Sequence, residues 1–215
     1  MTGNPMQPDG IGLSRRHLLG LAGTAAIAAC LPAAGSARAA QQCSDFDWQG
    51  IQYCTAGIPS QIAGQAALPQ FQSQWCWAAC ISMIFGYYNR PVRQERVVQE
   101  TFGRIIDMPA NPLQILSAVN RPWTDERGKP FTGYGAALPI DPILAGRYMA
   151  QEKPLIIGTI GHAMVLTALN WAQDRNGNQE LRGLVVRDPA IGGQRRELSG
   201  QEIFSTMFLA HVDIG

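Results

Sequence analysis

The apolar residues Trp77, Cys80, Ile81, Ile84 and Tyr88 recur at helical spacing, and the pattern stops at Asn89-Arg90-Pro91. That spacing predicts a buried amphipathic helix beginning at or just before Cys76. A second helix is predicted over Val92 to Phe102, with Pro91 near its first turn and Gly103 as its stop. Asn111-Pro112 and Asp141-Pro142 each supply a capping side chain followed by proline at the first helical position, which opens two more helices. The period then changes. Pro154-Leu155-Ile156-Ile157-Gly158, Ala163 to Leu169 and Leu184 to Val186 are short and strand-like, and the polar loop Gln173 to Glu180 contains the turn pair Asn176-Gly177. A short helical piece near Gln201 to Ser205 and a last strand, Met207 to Val212, complete the pattern. Helices first and antiparallel strands afterwards predict an α+β fold, in which a site can form where the two halves meet.

The chain has 215 residues, 46% apolar and only 15% charged, which fits one globular domain with a substantial core and excludes a disordered protein. Residues 1–39 stand apart. Arg15-Arg16-His17-Leu18-Leu19-Gly20 leads into an alanine-rich apolar run, the composition of a cleaved secretory leader of the twin-arginine type. Ala37-Arg38-Ala39 before Ala40 fits the small-x-small cleavage rule and is the expected site; Ile27-Ala28-Ala29-Cys30 offers a lipoprotein box as the alternative. The apolar run is too short to span a bilayer, so a stable anchor would require lipid on Cys30. The part after the leader carries 14 basic and 15 acidic side chains, with no strongly basic patch, which argues against nucleic acid as a partner. Its charged stretches, Arg93 to Glu100 and Arg195 to Glu197, read as solvated faces. The expected layout is an N-terminal arm over 40–68 and a domain over 69–215.

Four cysteines follow the leader: Cys43, Cys54, Cys76 and Cys80. A Cys43–Cys54 bridge would pin the arm, contributing about 3 kcal/mol for a loop of that size. The arm, Gln41 to Ile62, would then brace the domain or occlude its site. Cys76 and Cys80 lie one helical turn apart, where the S–S torsion is hard to satisfy, and are expected as free thiols. Cys76 at a helix N-terminus sits beside unpaired N–H groups that favour thiolate; Cys80 on the apolar stripe is expected to be buried and inert.

Histidine is scarce. His17 leaves with the leader, His211 lies inside the last apolar strand and reads as structural, and His162 follows Gly161 at a strand start. A thiolate–imidazole pair needs a third group to hold the ring. Asn170 is eight residues along the same strand, ~26 Å away if the strand is straight. Asp188 ends the next strand of the hairpin, which returns to the level of His162, and is the better candidate.

Gln70 six positions before Cys76, the Cys76-Trp77-Ala78-Ala79 helix start, Gly161-His162 and Arg187-Asp188-Pro189 together resemble the papain-like cysteine peptidases, especially their bacterial, bacteriocin-processing-like branch. The resemblance spans about Pro69 to Pro189. It implies a papain-like fold and a Cys76–His162 pair attacking a peptide carbonyl, with Asp188 where papain has an asparagine. It also implies an oxyanion hole made by the Gln70 amide and the Cys76 backbone N–H, with Gln74 as the rival to Gln70, and a peptide or protein substrate. No cofactor and no metal is implied. The chain lacks the glycine and serine that precede the papain cysteine, and it is shorter.

Three other readings compete. Cys76, Cys80 and His162 have metal-ligand chemistry but lack a second ligand pair. A cell-wall peptide amidase or transpeptidase would use the same Cys-His chemistry. A non-catalytic papain-like module would bind a partner instead. Trp75, Trp77 and Trp123 read as core, with the cleft wall as their alternative place.

Overall fold

The computed structural model describes residues 41–215; the leader expected over residues 1–39 and its two cleavage motifs lie outside the described residues. In chain order the elements are β1 (Gln42–Cys43), β2 (Ile51–Gly57), α1 (Ser60–Gln65), α2 (Cys76–Tyr87), α3 (Gln94–Phe102), α4 (Pro112–Val119), β3 (Pro122–Thr124) and β4 (Pro130–Ala137). They continue as α5 (Pro142–Ala150), β5 (Leu155–Thr159), β6 (His162–Asp174), β7 (Gln179–Asp188), a short 3-10 turn (Pro189–Ile191), β8 (Gln194–Glu197), α6 (Gly200–Phe204) and β9 (Phe208–Ile214). The fold is α+β, with helices packed on an antiparallel sheet.

Strand β6 is the spine of that sheet. On one edge it pairs first with β5, from Thr159↔His162 to Leu155↔Leu166, and then with β2, from Gly57↔Ala168 to Ile51↔Asp174. Its other edge pairs with β7, and β7 pairs with β8. On the far side of β5 come β9, β4 and β3. Every pairing is antiparallel.

Successive side chains of a strand point to opposite faces, and both faces of this sheet are covered. Ala163 and Val165 of β6, Ile156 of β5 and Ala210 of β9 join Trp77, Ile81 and Ile84 of α2 in one core. Met164 and Leu166 of β6, Leu155 and Ile157 of β5 and Leu209 of β9 join Ala145 and Met149 of α5 in a second. Two-sided burial is why these strands read as continuous apolar runs rather than as alternating ones.

The helix starts and stops follow local chemistry. Asn111 and Gln114 form a capping box with Pro112 at the first turn of α4, and Asp141 accepts from Ile143 and Leu144 N–H at the start of α5. Gly103 ends α3 at φ +72°, where a side chain would be strained. The start of α3 differs from the predicted Val92. Glu126 accepts from Arg93 N–H, and its own N–H donates to the Pro91 carbonyl. These bonds hold residues 91–93 extended, and the helix begins at Gln94.

Strands β1 to β4 and β8 were not predicted. The hairpin β3–β4 turns on Asp125, whose Oδ1 accepts from Arg127 and Lys129 N–H. Gly133 and Gly135 weaken the strand signal of β4, but Gly133 is required: a Cβ there would lie 2.3 Å from the Val119 carbonyl oxygen of α4. Strands β1 and β2 come from the expected arm, and β2 is built into the sheet along β6. Cys43 and Cys54 face each other across β1 and β2 and are disulfide-bonded. Among the described residues no helix is long and apolar enough to cross a membrane.

The disulfide closes a loop of sequence separation 11 in a strand pair at the sheet's edge. The Cys43→Ser, Cys54→Ser double variant is expected to lose about 3 kcal/mol of stability. The urea midpoint measures it; a midpoint equal to the parent's would mean that the β2–β6 ladder alone fixes the arm.

Candidate active site

Cys76 is the first residue of α2 and is half-buried, with its backbone at the end of the helix where N–H groups lack helical partners. The segment before it is tied down. Ser73 Oγ donates to Asp107 (2.8 Å), Gln74 N–H donates to the same carboxylate (2.8 Å), and the indoles of Trp75 and Trp77 donate to the carbonyls of Ile106 and Met108. Trp75 and Trp123 lie in the core. Trp77 is also buried but reaches the floor of the cleft beside Cys76.

His162 opens β6 after Gly161, which turns the chain at φ +76°. Val165 lies opposite Arg187, so Asp188 lies opposite Met164 and diagonal to His162 on one face of the sheet. The His162 Nε2 to Asp188 Oδ1 distance is 2.7 Å. The same ring acts on the Cys76 side chain, and each shifts the other's pKa. With Nε2 on Asp188, Nδ1 is the nitrogen left for the sulfur. Asn170, the rival orienting group, pairs instead with Thr55 Oγ1 on β2 (2.9 Å).

The electrostatics agree with the geometry. Burial pushes the Cys76 thiol up, but bonds from the His162 ring and from the Ala163 and Trp77 N–H groups, with the imidazolium charge, outweigh it and lower its pKa. His162 is raised to about 9, chiefly by its bond to Asp188 and then by Cys76. Asp188 is only 4% exposed. Burial raises its pKa, yet donors from His162, Arg196 and the Ala190 N–H bring it down to about 2. Cys80, 0% exposed, is pushed well up by burial and by the nearby Cys76 and Asp188 charges. His211 is remote from this chemistry: it stacks on Tyr148 at 4.8 Å, and burial followed by the Lys153 charge lowers its pKa.

Gln70 sits beside the site, its N–H donating to the Pro189 carbonyl (3.0 Å). Its side-chain amide donates to the Gln72 and Ser73 carbonyls of its own loop rather than facing the cleft. Gln74 is exposed. Sequence reasoning missed Gln94, 1% exposed, which donates to the Pro69 carbonyl (2.7 Å) and accepts from Phe71 N–H (3.1 Å), clamping both neighbours of Gln70. It also read Arg195 to Glu197 as a solvated face. Arg196 instead donates Nε to Asp188 Oδ2 at 2.8 Å. Glu202, whose carboxylate holds the other end of Arg196, is itself fixed in a capping box with Ser199.

The cleft itself is apolar apart from Cys76, His162 and Thr159, being walled by Pro109, Ala110, Pro112, Ile115, Met207 and Phe208. A thiol lowered by an adjacent imidazole beside an apolar cleft is an arrangement for nucleophilic attack on a carbonyl.

Residues 61–206 match the family described as papain-like cysteine protease AvrRpt2. The chain belongs to this family. It is a cysteine-type peptidase, and the resemblance read at Cys76-Trp77-Ala78-Ala79 stands. No curated protein matches the papain-like chain. Among solved structures, the peptidase domain of Streptococcus ComA, a bifunctional ABC transporter involved in quorum sensing, aligns at TM-score 0.46 and 15% identity, covering 69% of this chain and 96% of that one. A double glycine motif protease from an AMS/PCAT transporter in complex with the leader peptide aligns at 0.42 and 19%, covering 69% and 89%. UfSP from C. elegans aligns at 0.41 and 15%, covering 66% and 29%. At these TM-scores the three add nothing to the assignment, which rests on the family match.

The two shifted groups of the papain-like site predict a pH window. Asp188, depressed from 3.8 to about 2, contributes stability that is present above pH ~4 and lost as pH falls through about 2. His162, raised from 6.5 to about 9, contributes stability that is full below pH ~6.5 and lost as pH rises through about 9. The urea midpoint is therefore expected to be highest between pH ~4 and ~6.5, and Asp188→Ala to flatten both limbs. Identical pH profiles for the two proteins would remove this pair from the linkage.

Proposed function

We propose that the protein is an exported cysteine peptidase that cleaves peptide bonds with a Cys76–His162–Asp188 triad. The observation that carries the reading is that Cys76 and His162 line one cleft while His162 Nε2 lies 2.7 Å from the buried Asp188 carboxylate, and the imidazole lowers the pKa of the Cys76 thiol. The Cys76 thiolate attacks the scissile carbonyl carbon, and the carbon–oxygen π pair moves onto oxygen. His162 gives its Nδ1 proton to the leaving amine as the C–N bond breaks, leaving a thioester on Cys76. Water, deprotonated by the same nitrogen, then attacks the thioester and releases the acid and the thiolate. Asp188 holds the ring so that Nδ1 points at sulfur through both steps.

The oxyanion is assigned to the Cys76 backbone N–H and the Gln70 side chain. For Gln70 this requires its amide to leave the Gln72 and Ser73 carbonyls when substrate arrives. Gln94 keeps the backbone on either side of Gln70 fixed while the side chain turns. A peptide or protein is the substrate in this reading, since the apolar cleft offers no charged group besides the reacting pair.

Casein hydrolysis and labelling by a peptide chloromethyl ketone test the assignment together. Cys76→Ala is expected to abolish both, and His162→Ala to abolish turnover and slow labelling. Asp188→Ala is expected to lower kcat by roughly 10²-fold or more. Gln70→Ala should cost about 10²–10³-fold in kcat and Gln74→Ala little. Turnover retained by Cys76→Ala would overturn the triad.

Export is proposed from the twin-arginine leader and is supported by the Cys43–Cys54 disulfide, a bond that persists in oxidising compartments. N-terminal sequencing of the protein recovered outside the cytoplasm is expected to begin at Ala40. A start at lipid-modified Cys30 would replace the soluble product by an anchored one, and retention of Met1 would sink the proposal.

A further inference from the structure

We propose that Arg196 is a positioning residue for the Asp188–His162 pair, and that Glu202 holds Arg196 in place; this rests on the triad reading above. Val186 lies opposite Arg196 across β7 and β8, so Arg196 is diagonal to Asp188 on the same sheet face that carries His162. His162, Asp188 and Arg196 thus form one diagonal line across three adjacent strands.

The carboxylate of Asp188 has two sides. Oδ1 receives His162 and the Ala190 N–H (2.9 Å), and Oδ2 receives Arg196 Nε. A buried carboxylate oxygen without a donor would turn the group or protonate it, and either event moves Oδ1 away from the ring. Arg196 therefore fixes which oxygen faces His162.

Arg196 needs an anchor of its own, because among the described residues β8 pairs only with β7 and the side chain is long. Glu202 supplies it with two bonds, Nη2 to Oε1 at 2.6 Å and Nη1 to Oε2 at 3.0 Å. Glu202 is fixed in turn by Ser199, whose N–H and Oγ both donate to Oε2. The planar guanidinium, forked by one carboxylate and aimed at a second by Nε, is a geometry that lysine cannot reproduce. The first turn of α6 is thereby connected to the proposed catalytic base.

The test uses the mature chain and iodoacetamide, a probe that requires no knowledge of the substrate. Alkylation of Cys76 at pH 5 to 6 reads the thiolate that His162 maintains. Arg196→Met is expected to slow it roughly 10-fold, and to match the parent at pH 10, where the thiol ionises unaided. Casein kcat should fall with KM unchanged. Glu202→Gln should show a smaller loss of the same kind, and the double variant should be no slower than Arg196→Met alone, because the two act in series. Circular dichroism checks the fold; if Arg196→Met does not fold, Glu202→Gln alone carries the test. Folded variants with the parent's rate at pH 5 to 6 would overturn the proposal. His162→Ala separates the two readings: if it too alkylates at the parent's rate, the triad itself has failed.

Discussion

A carboxylate removed from water must be given donors, and Asp188 is the place where this protein meets that requirement. It terminates β7 almost wholly covered, between a ring on one strand and a guanidinium on another. The chain around it is shaped by the same need. Pro189 begins a 3-10 turn whose Ala190 N–H returns to Oδ1, and Gly192 and Gly193, both at positive φ, bring β8 back alongside β7. Gly193 packs so closely on Leu68 that a Cβ would lie 2.7 Å from its nitrogen. The turn that satisfies Asp188 is thus also the surface against which the Gln70 loop rests.

That constraint is met only because β6 and β7 have a fixed register over a long ladder. Sliding β7 by one residue would send Asp188 to the opposite face and leave Arg187 beside the imidazole. The slip is opposed by both cores, since Val165 of β6 packs toward α2 whereas Met164 and Leu166 of β6 and Val186 of β7 pack toward α5. Burial on both faces holds the register, and the register sets the site.

What could be read from the chain divides along the same line. The starts of α4 and α5 were legible because caps and prolines act within one turn, and that of α2 because its apolar residues recur at helical spacing. The choice of Asp188 over Asn170 was legible because a hairpin must return to its origin, which is geometry rather than composition. The start of α3 was not, since Glu126, distant in sequence, holds residues 91–93 extended. Strand β4 hid behind Gly133, whose missing side chain lowers strand propensity but admits the Val119 carbonyl. Arg196 and Gln94 look like ordinary surface polar residues in any local window. Only the tertiary pairing shows that one meets a buried carboxylate and the other clamps a loop.

The groups from Cys76 to Glu202 form a series of alternating sign when ionised: thiolate, imidazolium, carboxylate, guanidinium, carboxylate. Each neighbour stabilises the charged form of the next, which is why Glu202, through its bonds to Arg196, is also lowered to about 2. An aspartate in the place of an asparagine adds a negative charge beneath the imidazole. Arg196 takes Oδ2 without competing for Oδ1, so the carboxylate keeps its orientation toward the ring. Cys80 shows the opposite environment one turn away on the same helix: burial and the Cys76 and Asp188 charges push its thiol well up, and it packs in the core.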